Sequence, residues 1–199
     1  MAGRRELKKQ ETREAIRAAA LKLFSKNSFE KTSIEDIARE AGIGKTTIYG
    51  YFPAKDDIFI EFCDQELDQA FARLRTAEMQ SRPLLDQLVD FFMTKFRFVT
   101  QNEEFGRQFL REMIFPQQVN EKSRLHDQRY LEALQQVFKV AQEKKLISEE
   151  RDIFLLAVHF FSLYLGTLVG WYKGYINNLQ EAEQGMRSLF GQTLEGIGR

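Results

Sequence analysis

The stretch "GIGKTTIY", Gly42–Tyr49, carries two incompatible readings. Gly-Lys-Thr is how a nucleotide-binding loop finishes. Such a loop needs G-x-x-x-x-G-K-[ST] behind a strand, because a glycine-rich backbone wraps the phosphates before the lysine reaches them. Five residues before Gly44 stands Arg39, not glycine, and the preceding "SIEDIAREA" has helical spacing. Both conditions fail. What remains is a short helix, a glycine and a second short helix, the outline of a helix-turn-helix. Ser33 with Asp36 resembles a capping box in which Asp takes the place of the usual Glu. Ile34, Ile37, Ala38 and Ala41 form one buried stripe, and Gly42 frees the backbone to turn. The next helix begins near Gly44 or Lys45, stops before Pro53, and is pinned by Ile48 and Phe52. A plain helix hairpin shares this spacing, so spacing alone leaves both open.

Outward from this stretch the periodicity is helical nearly throughout, with three prolines and no long Val/Ile/Thr alternation. A first helix, Gln10 to Lys26, carries Ile16, Ala19, Ala20, Leu23 and Phe24 on one face, with Asn27 as its left-handed cap. A fourth runs from Ala54 to Met79, and Pro83 opens a fifth that reaches Thr100. A sixth, Glu103–Ile114, is closed by Pro116. A seventh covers Val119–Lys144. Ser148 caps an eighth, Glu149–Lys173, which Gly174 and Asn177-Asn178 break before a last helix. The expectation is an all-α chain of about nine helices.

The chain has 199 residues, with 29 Lys+Arg against 29 Asp+Glu, so no global charge announces a polyanionic partner. Locally, Arg4, Arg5, Lys8, Lys9 and Arg13 face only Glu6 and Glu11: an arm for a polyanion, or a solvated terminus. Cys63 is the only cysteine, which rules out an intrachain disulfide and suits a reducing cytoplasm. No apolar stretch follows the basic residues of the start, so a secretory signal is not expected. Two histidines, one cysteine and no metal-ligand spacing leave no catalytic constellation; neither an enzyme nor a cofactor is expected. One segment argues for a membrane. Ile153–Trp171 has nineteen residues without Asp, Glu, Lys or Arg, and would span roughly 28 Å as a helix. Ser162, Gly166, Gly170 and Gly174 recur every four residues along it, a ridge that lets helices approach closely in lipid or in water.

"TSIEDIAREAGIGKTTIYGYFPAKDDIF", Thr32–Phe59, resembles the DNA-binding signature of the TetR family of transcriptional repressors. The markers are "IA-EAG", the run Thr47, Tyr49, Tyr51 and Phe52, and the "K--IF" opening of the next helix. The likeness covers about Glu11–Phe62. It implies a three-helix helix-turn-helix DNA-binding domain over 1–53 and a helical ligand-binding and dimerisation domain over 54–199. By this resemblance Gly44, Lys45, Thr46, Thr47 and Tyr49 lie towards DNA. Lys45 suits a guanine edge, while Thr47 and Tyr49 suit backbone or thymine methyls. Thr32, Ser33, Tyr51 and Lys55 fall to phosphate, along with helix N-terminal amides, and Arg4, Arg5, Lys8 and Lys9 to phosphate or minor groove. Three positions depart from the family: Gly44 where Ser or Thr is common, Gly50 where a large side chain is common, and Thr46 where a small residue is common. No relative's target sequence therefore transfers.

The family implies an inducer pocket among the middle helices and a dimer interface on the last two. Phe92, Phe96, Phe109, Phe138 and His159 are the ligand candidates, although plain core packing explains each phenylalanine as well and a satisfied core histidine explains His159. Few charges lie in the helix interiors, which favours a small apolar or aromatic inducer. Ser162, Gly166, Gly170 and Gly174 are the candidate homodimer ridge. The function expected is a cytoplasmic, ligand-responsive repressor that binds a palindromic double-stranded operator as a dimer. The alternative is a DNA-binding regulator tethered to a membrane by Ile153–Trp171.

Overall fold

The computed structural model describes residues 3–115 and 121–197. Ten helices lie among them: α1 (Arg4–Asn27), α2 (Ile34–Ala41), α3 (Lys45–Tyr51), α4 (Lys55–Leu74), α5 (Ala77–Ser81), α6 (Leu84–Thr100), α7 (Glu103–Ile114), α8 (Glu121–Glu143), α9 (Ile153–Tyr172) and α10 (Leu179–Ile197). The chain is all-α. Pro116 and the start at Val119 fall outside the described residues.

Local chemistry accounts for four differences from the sequence reading. α1 takes in the basic arm from Arg4, since Arg4–Glu11 is a run of good helix formers without proline. Its end carries Ser28, not Asn27, at φ 74°, with the Ser28 amide on the Phe24 carbonyl 3.1 Å away. The expected fourth helix splits at Thr76. That hydroxyl donates to Arg73 O at 2.9 Å and accepts from Met79 N at 3.3 Å, so one side chain ends α4 and caps α5. α9 starts one turn later than expected. Asp152 Oδ1 takes the amides of Phe154 and Leu155 at 2.8 and 3.1 Å, and Ser148 stays in the turn before it.

The chain folds as two compact units. One comprises the described residues of Met1–Gln65 and Val99–Lys122, the other those of Glu66–Phe98 and Ser123–Arg199; α4 passes from one to the other at Gln65. In the first unit the predicted stripe of α1 packs with Ile34, Ile37 and Ala38 of α2, Ile48, and Phe52. The capping box at Ser33 is complete in both directions. Gly42 sits at φ 67°, where a side chain is strained, and lets the Ile43 amide return to Ala38 O at 3.0 Å. Arg13 is ion-paired to Glu61, with its guanidinium 5.1 Å from the centre of the Phe52 ring, and Arg17 bonds Gln65, so α1 is clasped to α4. α7 belongs to this unit. Phe105 meets Phe59 and Phe62, with ring centres 5.2 and 5.7 Å away, and Asn102 both caps α7 and holds Ser25 O at 3.1 Å.

The second unit is built around aromatic rings. Phe92 stands 5.2 Å from both Tyr164 and Phe190, and Phe160 joins Phe190 to Phe138 at 5.1 and 5.2 Å. α9 buries Leu156, Ala157, Phe160, Tyr164, Thr167 and Leu168. It is long and apolar enough to cross a membrane by composition, with a third of its most apolar window buried within the protomer. Its end is closed by Gly174 at φ 74°, with the Tyr175 amide on Gly170 O at 2.8 Å and the Gly174 amide on Trp171 O at 3.0 Å.

Candidate nucleic-acid interface

α3 is anchored by one side chain. Ile48 is fully buried, as is Phe52 just beyond the helix, while Lys45, Thr46, Thr47, Tyr49 and Gly50 are exposed and Tyr51 is half-buried. Gly44 caps α3 without a side chain to accept its first amides. The short helix therefore spends Ile48 on attachment and presents Lys45, Thr46, Thr47 and Tyr49 outward, on a support fixed by the glycine turn and the Arg13 clasp. The residues expected on the reading face are neighbours here: Lys45, Thr46, Thr47 and Tyr49 are exposed on α3, with Gly44 at its N-cap.

Three of the residues assigned to phosphate have structural work instead. Thr32 is 1% exposed, and its hydroxyl donates to Ser28 O at 2.7 Å, so that side chain cannot face a solvent-side anion. Ser33 is exposed, but its hydroxyl is engaged by Asp36 within the capping box. The Lys55 ammonium donates to Phe29 O at 2.7 Å and Thr32 O at 3.0 Å and lies 4.1 Å from the centre of the Phe29 ring. Two of its three donors thus hold the loop between α1 and α2, which leaves one for an outside partner. Burial of that ammonium lowers its pKa from the usual lysine value, against the pull of Glu30 and Asp56.

The sequence reading missed the partner of Lys45. Glu35, on the exposed side of α2, is ion-paired to the Lys45 ammonium, which also lies 5.7 Å from the Tyr49 ring centre. Hydrogen bonding to Glu35 raises the Lys45 pKa and lowers that of Glu35. The only sequence signal was an acidic residue in the first turn of α2, where the helix dipole accounts for it equally well.

The other predicted residues are distributed as follows. Phe92, Phe96 and Phe138 are buried in the second unit, with Phe96 at 5.3 Å from Trp171, whereas Phe109 is buried in the first. His159 lies on the exposed side of α9 and not in an apolar interior; its Nε2 is 3.2 Å from Thr193 Oγ1 of α10. Ser162 and Gly166 are exposed, and a Cβ on Gly166 would meet nothing within 4 Å. Gly170 is different: a Cβ there would stand 3.1 Å from Ile176 Cδ1 of its own chain. With Gly174 in the left-handed conformation, both residues shape the turn after α9. The ridge of four is thus a pair of outward residues and a pair of turn residues.

A family model described as "Bacterial regulatory proteins, tetR family" matches residues 16–62, from α1 through the first part of α4. An uncharacterised HTH-type transcriptional regulator of Haemophilus influenzae is 35% identical over 120 residues, 56% of this chain and 55% of that relative. The chain spans about half the length of the curated relatives it matches. Solved structures extend the fold likeness to nearly the whole chain. A TetR-family regulator from Syntrophomonas wolfei aligns with a TM-score of 0.78 at 19% identity, covering 94% of this chain and 97% of that one. The FadR repressor of Thermus thermophilus, solved with lauroyl-CoA, aligns with a TM-score of 0.71 at 20% identity over 89% and 93%. Residues 16–62 thus match the DNA-binding domain of the TetR family of bacterial regulatory proteins, and nearly the whole chain has the fold of solved TetR-family regulators.

Proposed function

We propose that the protein is a cytoplasmic, ligand-responsive repressor that binds a palindromic operator as a homodimer and is released by a small apolar or aromatic effector. The observation that carries the reading is α3, a helix held by Ile48 with its remaining side chains offered to solvent. Such a helix fits the major groove, where side chains reach base edges. Two copies related by a two-fold axis read half-sites spaced by about one helical turn, ~34–36 Å, or a multiple of it. Selection from random duplex DNA should return an inverted repeat; sequences without one would end the reading as a dimeric, site-specific repressor.

Support for the dimer comes from α9. Leu155, His159, Ser162, Gly166 and Val169 are exposed at i, i+4, i+7, i+11 and i+14, the spacing of a helix–helix seam. Leu189 of α10 is exposed as well, and the two helices of two protomers make a four-helix interface. This seam also favours a partner subunit over a membrane for α9, because the opposite face is packed in the protein. Gly166→Leu should overfill the seam and weaken association, by about 1–3 kcal/mol. Sedimentation of the unmodified protein as a stable monomer would remove the seam's role.

The domain division is proposed near Pro53, where the reading helices end, with regulation passing along α4. This helix is continuous from Lys55 to Leu74, so an effector that tilts its second half tilts the first. Only one separation of two heads matches the operator repeat. A coupling of about 1–3 kcal/mol corresponds to roughly 5–150-fold in operator affinity, and operator must weaken effector binding by the same factor. The aromatic interior of the second unit supports an apolar effector, and the fold is also that of a repressor solved with lauroyl-CoA.

A further inference from the structure

Tyr130 projects from α8 into the rings of the second unit. It is 5% exposed, and its neighbours are Phe161, Phe91, Phe71 and Phe92, at ring-centre distances of 5.0, 5.7, 6.4 and 6.4 Å. Phenylalanine would make the same contacts. The hydroxyl is the one atom that ring packing does not explain, and it is buried without a hydrogen-bond partner among the described residues. A buried polar atom left unmatched costs about 1–3 kcal/mol, so its place among four phenylalanine rings asks for a reason.

The surroundings say what kind of partner would suit it. Burial, and the nearness of Tyr164, hold the Tyr130 pKa well above the usual tyrosine value, so the hydroxyl keeps its proton. A neutral phenol is a stronger donor than acceptor, because its oxygen lone pair is shared with the ring. The partner is therefore an acceptor, such as a carbonyl oxygen. It carries few other polar groups, since the rings beside Tyr130 are phenylalanines and Tyr164 is the polar side chain felt nearby. A sugar or a nucleotide does not meet that condition; an aromatic ketone does.

We infer that Tyr130 is the polar anchor of the effector site, and that the effector is a compact aromatic or apolar molecule whose carbonyl oxygen accepts the Tyr130 hydroxyl in the midst of Phe71, Phe91, Phe92 and Phe161. The inference rests on the reading of the second unit as effector-binding. It adds a residue and a ligand chemistry to that reading.

The test uses matched probes: acetophenone with ethylbenzene, and 2-acetylnaphthalene with 2-ethylnaphthalene. Trp171, the single tryptophan, lies in the same unit beside Phe96 and reports binding by its fluorescence. The unmodified protein should bind each ketone about 3- to 10-fold tighter than its hydrocarbon, the worth of one hydrogen bond. Tyr130→Phe should bind both members of a pair alike, and its thermal midpoint should equal or exceed that of the parent because the unmatched hydroxyl is gone. Equal binding of ketone and hydrocarbon by the parent protein overturns the anchor while leaving the effector pocket standing, and needs no variant to fold. A ketone preference that survives in Tyr130→Phe overturns the assignment to this residue. Failure of all four probes to bind overturns the effector pocket, and the anchor with it.

Discussion

The reading face of α3 and the ring layer of the second unit are built in opposite senses. On α3, attachment and the proposed recognition fall to different residues: Ile48 holds the helix, and Lys45, Thr46, Thr47 and Tyr49 stand outside the core. In the ring layer the same side chains that fill the core are the ones an effector would touch, with Phe92 fully buried among Tyr130, Tyr164 and Phe190. A surface site can therefore change its target without cost to the fold. An interior site cannot change its ligand without altering its own packing.

That contrast breaks first if the two cores respond alike to a recognition mutation. Phe92→Ala removes a fully buried ring and should cost about 3–5 kcal/mol in denaturant unfolding. A cost below about 1 kcal/mol would mean that the layer is loosely filled around an existing cavity. Ile48→Ala comes next, at about 2–5 kcal/mol, and should abolish operator binding as α3 loses its anchor. Full operator affinity in that variant would show that α3 is held by something other than its one buried side chain.

Lys45→Ala sharpens the comparison from the other side. Stability should stay within about 0.5 kcal/mol, because an exposed ion pair contributes little. Discrimination at one base pair per half-site should fall by about 1–3 kcal/mol, read by competition with single-substitution operators. The smallest effect expected is Glu35→Gln. With its acidic partner gone, the Lys45 ammonium meets phosphate or base without first leaving Glu35, so affinity for unrelated DNA should rise a few-fold at low salt and converge with the parent at high salt. A rise confined to the operator would instead place Glu35 in sequence readout.

How far each region could be read from sequence follows from the same contrast. The capping box at Ser33, the turn at Gly42 and the anchor at Ile48 are set by neighbours within a few positions, and the structure has each of them as read. Local chemistry also decides the break at Thr76 and the start at Asp152, but one hydroxyl or carboxylate among many candidates gives a weak signal beside a long helical periodicity. The ties of Lys55 and Thr32 escape the sequence for a deeper reason. Their partners, the carbonyls of Phe29 and Ser28, are found only once α1, the loop and α4 are assembled. His159 reads as interior because its segment is apolar on every side; only packing against α10 reveals which side faces out. Tyr130 carries no sequence signal at all, since a tyrosine at a buried helical position is common and its unmatched hydroxyl appears only in three dimensions.

The place of α7 in the first unit has a consequence for the order in which the protein is made. Helices α1 to α3 leave the ribosome before α7, yet Phe59 and Phe62 wait for Phe105, and Ser25 O waits for Asn102, 77 positions later. Until α7 is synthesised, the nascent head carries a bare aromatic edge on α4. The first unit is thus completed only after part of the second has been made, and a fragment that stops at Gln65 has α1 to α3 without the element that covers their support.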